Sequence, residues 1–205
     1  MSDTVWAMQR AERERLVGYL RTLPTEAWEQ PSLCPDYRIR DVVGHLVAGA
    51  RNTPPKFLLG MVKARFDFDA AMRAAAARES SGTPAELTAA LSALTGAKAR
   101  PGPAMLGEVI VHSEDIRRAQ GEGPGDYPLE HVRVVADAYR KAGMGLGAKK
   151  RIVGLRLEAT DADWSTGDGP LVTGGLLSLV LAMTGRSIAH ADLTGPGVAA
   201  LAARR

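Results

Sequence analysis

Apolar residues recur at helical spacing along the first two thirds of this 205-residue chain. The clearest stripe occupies positions 39, 42, 43, 46, 47 and 50, which share one face of an α-helix. Comparable stripes, separated by breaks that contain proline or glycine, predict further helices up to about residue 142. A helix with one apolar face must bury that face against another element, so this part of the chain is predicted to form an all-helical domain.

The pattern changes beyond residue 146. Segment 142–151, AGMGLGAKKR, combines three glycines with a basic triplet, which is typical of a linker. Val153, Leu155 and Leu157 then alternate with a period of two, which predicts a strand, and an apolar helix is predicted over residues 176–183. We therefore predict a mainly α protein with a helical domain over residues 1–146 and a small α+β domain over residues 151–205.

Composition excludes several classes of function. The net charge of +3 is small, the basic residues are scattered and aromatic residues make up only 5% of the chain, so nucleic-acid binding is not expected. The single cysteine, Cys34, rules out an internal disulfide framework and favours the cytoplasm. The charged N-terminal segment is not a signal peptide, and no apolar run is long enough to predict a membrane span. The sequence does not decide between a monomer and a homodimer.

Segment 107–115, GEVIVHSED, places a carboxylate and an imidazole four residues apart in an otherwise apolar helix. Glu108 and His112 therefore share the face that is predicted to be buried, whereas Glu114 and Arg118 are predicted to form an ion pair on the opposite, solvated face. A buried carboxylate beside a buried imidazole is costly unless the two groups pair or bind a metal. Two interpretations follow: a structural hydrogen bond, or two ligands of a metal ion.

The remaining histidines offer one candidate for a third ligand. His131 lies at the polar start of a helix and His190 in a loop, so both are predicted to be surface residues. His45 lies in the middle of a helix, on the shoulder of its apolar stripe and among small residues that leave room for a cavity. His45, Glu108 and His112 would form a set of two histidines and one glutamate, which is typical of a catalytic zinc site with an open fourth position.

Three further blocks of the sequence have a recognisable pattern: WEQPSLCPDYRIRDVVGHL (28–46), GEVIVHSEDIRR (107–118) and LRLEATDADWSTGDGPLVTG (155–174). Together they resemble the mycothiol-dependent maleylpyruvate isomerase family, a branch of the DinB-like metal-binding four-helix bundles. The first is similar to the family pattern W-x-x-P-[ST]-x-C-P-G-W followed by D-[VL]-[VA]-x-H-L, and the second to G-E-x-x-[VI]-H-x-x-D-[IL]-x-R. The third is similar to the family's C-terminal ATD-x-x-W and G-x-GP patterns.

The resemblance implies a DinB-like up-and-down four-helix bundle followed by a small C-terminal domain. It implies a divalent metal, usually zinc, held by His45, Glu108 and His112, and mycothiol as the thiol cosubstrate. The reaction would be an isomerisation, in which the thiol adds to an activated double bond, permits rotation and leaves, or an S-transfer, in which the adduct is released. The electrophile is expected to be small and to carry a carboxylate. Alternatives are a non-catalytic member that binds a metal or a ligand, and a hydrolase that uses a zinc-bound water.

Further residues are candidates for supporting roles. Arg186 is expected to bind the substrate carboxylate, because a guanidinium pairs with a carboxylate through two hydrogen bonds. Asp115 either orients His112 or is a solvated or capping carboxylate. Asp41 either supports the metal site or stabilises the start of its helix. Cys34 is expected to be structural, since no histidine partner is evident in the sequence.

The chain departs from the family pattern at one segment. The pattern has C-P-G-W, whereas residues 34–37 read CPDY, so the conformational freedom of glycine and the indole ring are both lost. Arg38 replaces the usual Ser or Thr, which predicts the loss of a capping box with Asp41. Asp36 is then expected to cap the helix and to start it slightly earlier.

Overall fold

A computed structural model describes residues 2–94, 102–143 and 146–204. The chain forms two compact units, Met1–Gly123 and Pro124–Arg205. The first unit is helical and the second combines helices with a small sheet, which confirms the predicted fold class. Among the described helices, none is long and apolar enough to cross a membrane.

Four helices share the core of the first unit. They are α1 (Ser2–Leu20), α2 (Ile39–Arg51), α5 (Pro84–Ala93) and α6 (Pro103–Ala119), and between α2 and α5 lie α3 (Pro54–Lys63) and α4 (Phe68–Glu79). A 3₁₀ turn at Thr25–Glu29 adds Trp28 to this core. The apolar stripe predicted from residue 39 onward is buried as expected, at Ile39, Val42, Val43, Leu46 and Val47. The two candidate metal-binding helices, α2 and α6, therefore pack within one core.

Helix α6 is buried on more sides than its sequence predicts. Glu114 and Arg118 form the expected ion pair, with Arg118 Nε donating to Glu114 Oε2 over 2.9 Å, but they are only 1% and 8% exposed. The prediction that this pair faces water is wrong. Helix α6 packs against both α1 and α2, so two of its faces are covered rather than one.

Helix α4 approaches α2 closely at Gly44. A Cβ atom at Gly44 would lie 2.7 Å from the carbonyl oxygen of Ala76 and 2.9 Å from the backbone nitrogen of Ser80. Backbone atoms cannot yield as a flexible side chain does, so only glycine allows this spacing. The residue that follows, His45, is thereby held on the part of α2 that α4 approaches.

The start of α2 differs from the prediction. Helix α2 begins at Ile39 with Arg38 as its N-cap, and the backbone N–H of Arg38 donates to Asp41 Oδ2 over 3.1 Å. The carboxylate half of a capping box is thus retained, and the predicted loss is wrong for that half. Asp36 does not cap the helix, which corrects the second expectation. It adopts φ 65°, the left-handed region that the family pattern fills with glycine.

The second unit contains a three-stranded sheet. Its strands are β1 (Arg156–Ala159), β2 (Ser165–Thr166) and β3 (Leu171–Gly174), in the order β2-β1-β3. Strand β1 pairs antiparallel with β2 and parallel with β3, with Leu157 opposite Thr166 and Val172. The helices of this unit are α7 (Leu129–Tyr139), α8 (Ala148–Ile152), α9 (Leu176–Met183) and α10 (Val198–Ala202), with a 3₁₀ turn at Ser187–Asp192.

The two units divide between residues 123 and 124, whereas the sequence pattern placed the boundary at 146–151. Helix α7 accounts for the difference, because it packs against α9 in the second unit. Within the predicted linker, residues 144 and 145 lie outside the described residues, and Ala148–Ile152 forms α8. His131 on α7 is only 7% exposed, so its predicted surface position is wrong. The buried stripe of α7 starts at His131, one residue before Val132, where the sequence pattern placed its start.

Candidate metal centre

The structure brings together the three residues that the sequence selected as metal ligands. Helix α2 supplies His45, and Glu108 and His112 lie one turn apart on α6. The Nε2 atom of His45 lies 3.0 Å from Glu108 Oε2, and the Nε2 atom of His112 lies 3.4 Å from the same oxygen. One donor atom from each residue fits within a group whose members all lie within 4.8 Å of one another.

Asp115 occupies the other side of the His112 ring. Its Oδ2 atom lies 2.9 Å from His112 Nδ1, and the residue is fully buried. Because an ionised carboxylate can only accept, Nδ1 carries the proton and Nε2 is directed toward Glu108. This is the arrangement by which a carboxylate fixes the tautomer and orientation of a ligating histidine. Of the two roles considered for Asp115, the contact supports the orienting one.

The electrostatics of the centre favour a positive charge between the carboxylates. Burial lowers the pKa of His112, but hydrogen bonds to Asp115 and Glu108, together with their charges, outweigh it and raise this pKa to about 9. Desolvation raises the pKa of Glu108, but hydrogen bonds to His112 and His45 and the charges of these rings hold it well below its usual range. The two carboxylates therefore favour a positive charge at His112.

Among the described residues of the centre, exposure to solvent is greater on the Glu108 side than on the Asp115 side. The side chains of Glu108 and His45 are 33% and 20% exposed, whereas those of His112 and Asp115 are 8% and 0% exposed. Glu108 and His45 are therefore the parts of the centre nearest to solvent. The opposite side is closed by the packing around Asp115.

Comparison with known proteins identifies the first unit. Residues 9–119 match the family model described as the mycothiol maleylpyruvate isomerase N-terminal domain. The chain belongs to this family. Among curated proteins, none matches the chain.

Two solved structures share the fold over nearly the whole length. A crystal structure of an alanine-for-histidine mutant of the mycothiol-dependent maleylpyruvate isomerase has a TM-score of 0.65 and 16% identity. A second crystal structure of that isomerase has a TM-score of 0.60 and 17% identity. Each comparison covers 96% of this chain and 93% of the other. At such identities the likeness establishes the fold, including the C-terminal part that the family model leaves unmatched.

The residues at the centre of this family member fit a divalent cation. Two imidazoles and a carboxylate supply nitrogen and oxygen donors of the kind that zinc prefers. With neutral histidines, Glu108 and Asp115 would leave the group with a net negative charge, which a cation compensates. Binding requires His112 to lose the proton that its raised pKa retains, so cation and proton compete for this site.

Cys34 lies beside the centre, which its sequence context does not predict. The Cys34 thiol forms, with His112 and Asp115, a second set of potential ligand atoms that lie within 4.8 Å of one another. The backbone N–H of Leu33 donates to the carbonyl of Asp115 over 3.1 Å and fixes this segment to α6. The contact joins residues about 80 positions apart, so no motif spacing predicts it. Cys34 therefore does have a histidine nearby, contrary to the expectation from the sequence.

Tyr37 replaces the family's tryptophan beside the centre. Its ring centroid lies 6.0 Å from that of His45. The backbone N–H of Tyr37 donates to the carbonyl of Cys34 over 3.1 Å, which closes a turn through Pro35 and the left-handed Asp36. Asp36 thus provides the backbone geometry that the pattern assigns to glycine, and the turn places both Cys34 and Tyr37 at the centre.

The other two predicted site residues lie elsewhere. Asp41 contacts Arg38, with Arg38 Nε donating to its Oδ2 over 2.8 Å, which matches the alternative in which it stabilises the start of α2. Arg186 lies in the second unit, where its Nη1 donates to the carbonyl of Thr184 over 3.2 Å. Its role toward a substrate stays a prediction. His190 is also in the second unit and is partly exposed.

Replacing Asp115 by asparagine is expected to weaken metal binding by about 10- to 100-fold, which is the usual effect of removing a carboxylate that orients a histidine ligand. The amide keeps the shape and still accepts from Nδ1, but it removes the charge that stabilises the ring. Asp41→Asn is the matched control, because that carboxylate contacts Arg38 rather than a candidate ligand. Both variants are titrated with zinc against a chromophoric chelator. Equal losses in the two variants would show that Asp115 has no special role.

Proposed function

We propose that this protein is a mycothiol-dependent isomerase or S-transferase that acts on a small electrophile carrying a carboxylate. His45, Glu108 and His112 would hold a divalent metal ion, which we take to be zinc. When bound, such a metal favours thiolate over thiol and so makes mycothiol nucleophilic at neutral pH. The single cysteine, Cys34, is consistent with a cytoplasmic setting.

The convergence of two imidazoles on one carboxylate oxygen is the observation that supports this proposal most. His45 and His112 both aim Nε2 at Oε2 of Glu108, although they come from different helices. A structural hydrogen bond would need only one histidine. A metal centre requires two further parts that a simple pair does not: a second histidine, and the buried Asp115 carboxylate that orients His112.

The chain's own residues have distinct tasks in this proposal. Asp115 holds the Nδ1 proton of His112, so the ring presents Nε2 to the open side of the centre. The exposure of Glu108 lets thiol and electrophile enter from solvent, while the closed side excludes water behind His112. Addition of a thiolate to a polarised double bond, followed by rotation and departure of the thiolate, needs no nucleophile from the protein. Arg186 remains our candidate for the substrate carboxylate.

The test is to incubate the zinc-loaded protein with mycothiol and maleylpyruvate, the substrate in the name of the structurally similar enzyme. An isomerised product indicates an isomerase, and a stable thioether adduct indicates a transferase. Both are separated by liquid chromatography and identified by mass. Reactions without mycothiol, and with His112→Ala, are the controls.

Other products would favour the alternatives. A hydrolysis product that forms without mycothiol would indicate metal-assisted hydrolysis. Saturable binding of mycothiol without any turnover, over a panel of α,β-unsaturated acids, would contradict the proposed enzyme and support a binding protein. Within the altered segment Asp36-Tyr37-Arg38, Tyr37 lies beside His45, so a loss of chemistry would be sought there first.

A further inference from the structure

Exposed apolar side chains are concentrated on α3 and just after it. In the described part of the chain nine large hydrophobic residues are exposed, and six of them lie between positions 57 and 68. We call these six residues the α3 patch: Phe57, Leu58, Leu59, Val62, Phe66 and Phe68, with exposed fractions from 37% to 70%. Single apolar residues are normal on a protein surface, whereas a contiguous group of this size marks an interaction site.

The patch is continuous because two helices contribute to it. Leu58, Leu59 and Val62 are spaced by three and four residues and share one face of α3. The ring centroids of Phe57 on α3 and Phe68 on α4 lie 6.4 Å apart, so the patch extends onto the start of α4. Helix α3 contacts α4, but none of its 10 residues is buried. Because a helix this short depends on packing for its stability, its apolar face is one that a further element is expected to cover.

The turn after α3 holds an aromatic ring in solvent through an unfavourable backbone conformation. Arg65 and Phe66 are consecutive non-glycine residues in the left-handed region, with φ 53° and 64°. This region is costly for a residue with a side chain, and such residues are concentrated at functional sites. The backbone N–H of Phe66 donates to the carbonyl of Met61 over 2.7 Å, which fixes the turn. The ring of Phe66 is thereby presented to solvent at 70% exposure and gains little burial from its own chain.

The area of the α3 patch suits one side of a protein interface. Its six exposed fractions together equal about three whole side chains. With about 150–250 Å² for a large aromatic side chain, and less for leucine and valine, this is on the order of 500 Å². A stable interface covers about 800 Å² on each partner, with an apolar middle and a polar rim. The patch therefore provides the apolar middle of such an interface, and a small ligand would leave most of it exposed.

The charges around the patch favour a second copy of this chain over a membrane surface. The exposed charged residues of this segment are Lys56 at its start, Lys63 and Arg65 within it, and Asp67 and Asp69 near its end. A helix that lies on an anionic membrane is flanked mainly by lysine and arginine, whereas both signs are present here. In a two-fold contact the same surface meets itself, so each pairing occurs twice. An antiparallel arrangement would bring Lys56 of one copy to Asp67 and Asp69 of the other, in both directions.

We propose that the α3 patch is the interface of a homodimer, in which a second copy of the chain packs antiparallel on it about a two-fold axis. The dimer buries the exposed rings of Phe57, Phe66 and Phe68 and pairs unlike charges at both ends of the patch. It also decides the oligomeric state, which the sequence leaves open. No residue of the patch belongs to either group of potential metal ligands in the described residues, so the dimer does not rest on the proposed function.

Sedimentation equilibrium of the full-length protein tests the interface. The wild type is expected to have the mass of a dimer from low micromolar concentrations upward. Leu58→Glu/Val62→Glu puts carboxylates of both copies into the interface and is expected to weaken association by at least about a hundredfold, which gives a monomer over the same range. Val153→Glu/Ile188→Glu is the matched control, because it makes the same charge change at exposed apolar residues of the second unit. This control is expected to remain a dimer, and circular dichroism is expected to show that both variants fold, since the replaced side chains are exposed.

A charge exchange tests the antiparallel arrangement without changing the apolar contacts. Lys56→Glu and Asp69→Lys are each expected to weaken dimerisation by about fivefold, because each places like charges together twice. The double variant Lys56→Glu/Asp69→Lys restores unlike pairs and is expected to recover most of that loss. Asp67 is left unchanged, since its side chain caps α4 by accepting from the backbone N–H of Ala70. A double variant that is weaker than either single variant would overturn the antiparallel pairing.

Four results would overturn the dimer. The first is a wild type that stays monomeric at every concentration. The second is a dimer that Leu58→Glu/Val62→Glu weakens no more than the control variant does, because its interface would then lie elsewhere. The third is a mass that grows beyond that of a dimer, which indicates an open-ended contact instead of a closed two-fold one. The fourth is a monomer that sediments with phosphatidylserine vesicles unless Leu58 and Val62 are replaced, which would make the patch a membrane-binding surface.

Discussion

Replacing His112 by alanine is expected to lower the affinity for zinc by about a hundredfold or more. The binding free energy of a four-ligand zinc site is about 10–16 kcal/mol, so one ligand accounts for about 3 kcal/mol. The variant also removes the imidazole that pairs with the buried Asp115 carboxylate. This loss is expected to destabilise the packing behind the centre. Metal content after dialysis and competition with a chromophoric chelator measure the loss.

Glu108→Gln separates the loss of a ligand from a loss of folding. The amide has almost the same shape as the carboxylate, but it lacks the charge on which both imidazoles converge. We expect this variant to unfold cooperatively like the wild type and to lose zinc affinity to a similar extent as His112→Ala. In a thermal melt, added zinc should raise the melting temperature of the wild type and leave that of both variants nearly unchanged.

His190→Ala is the control for the loss of a histidine as such. His190 lies in the second unit and belongs to neither group of potential ligand atoms in the described residues. Its replacement is expected to leave zinc affinity unchanged. If zinc content is unaffected by Glu108→Gln and His112→Ala, or if no variant and no wild-type protein retains zinc, the assignment of the metal centre is wrong.

The candidate centre could be predicted largely because two of its residues are joined by helix geometry. A spacing of four residues places Glu108 and His112 on one face whatever surrounds the helix. His45 required a different argument, from the shortage of other histidines and the small residues around it. The contact of Cys34 with this centre could not be found in that way, since it depends on the path of the chain between the 3₁₀ turn and α2.

The fold class was predictable for a similar reason. The change from helical spacing to strict alternation near residue 150 marks the sheet, and the structure has β1 at Arg156–Ala159. The burial of Glu114 and Arg118 was not predictable, because periodicity shows which residues share a face but not how many faces are covered. The position of α7 was missed for the same reason, since its apolar stripe does not say which unit it packs against.

Arg118→Met is expected to destabilise the folded protein by about 3–5 kcal/mol, because it leaves the Glu114 carboxylate buried without its guanidinium. The carboxylate then lacks the donor that lies 2.9 Å from it in the wild type. For a chain of this size, the melting temperature should fall by about 10 °C or more. Chemical denaturation followed by circular dichroism gives the free energy of unfolding, and zinc content shows whether the damage reaches His112 on the same helix.

Two controls determine whether burial is the cause. Arg10 and Glu14 on α1 form an ion pair at the same spacing, 3.2 Å apart, but their side chains are 57% and 55% exposed. Arg10→Met should therefore cost less than about 1 kcal/mol. The double variant Glu114→Leu/Arg118→Met removes both buried charges and should recover most of the stability that Arg118→Met loses. A similar cost for Arg118→Met and Arg10→Met would mean that α6 is solvated on this face, as its sequence alone suggested, and that the core around His112 is looser than the structure indicates.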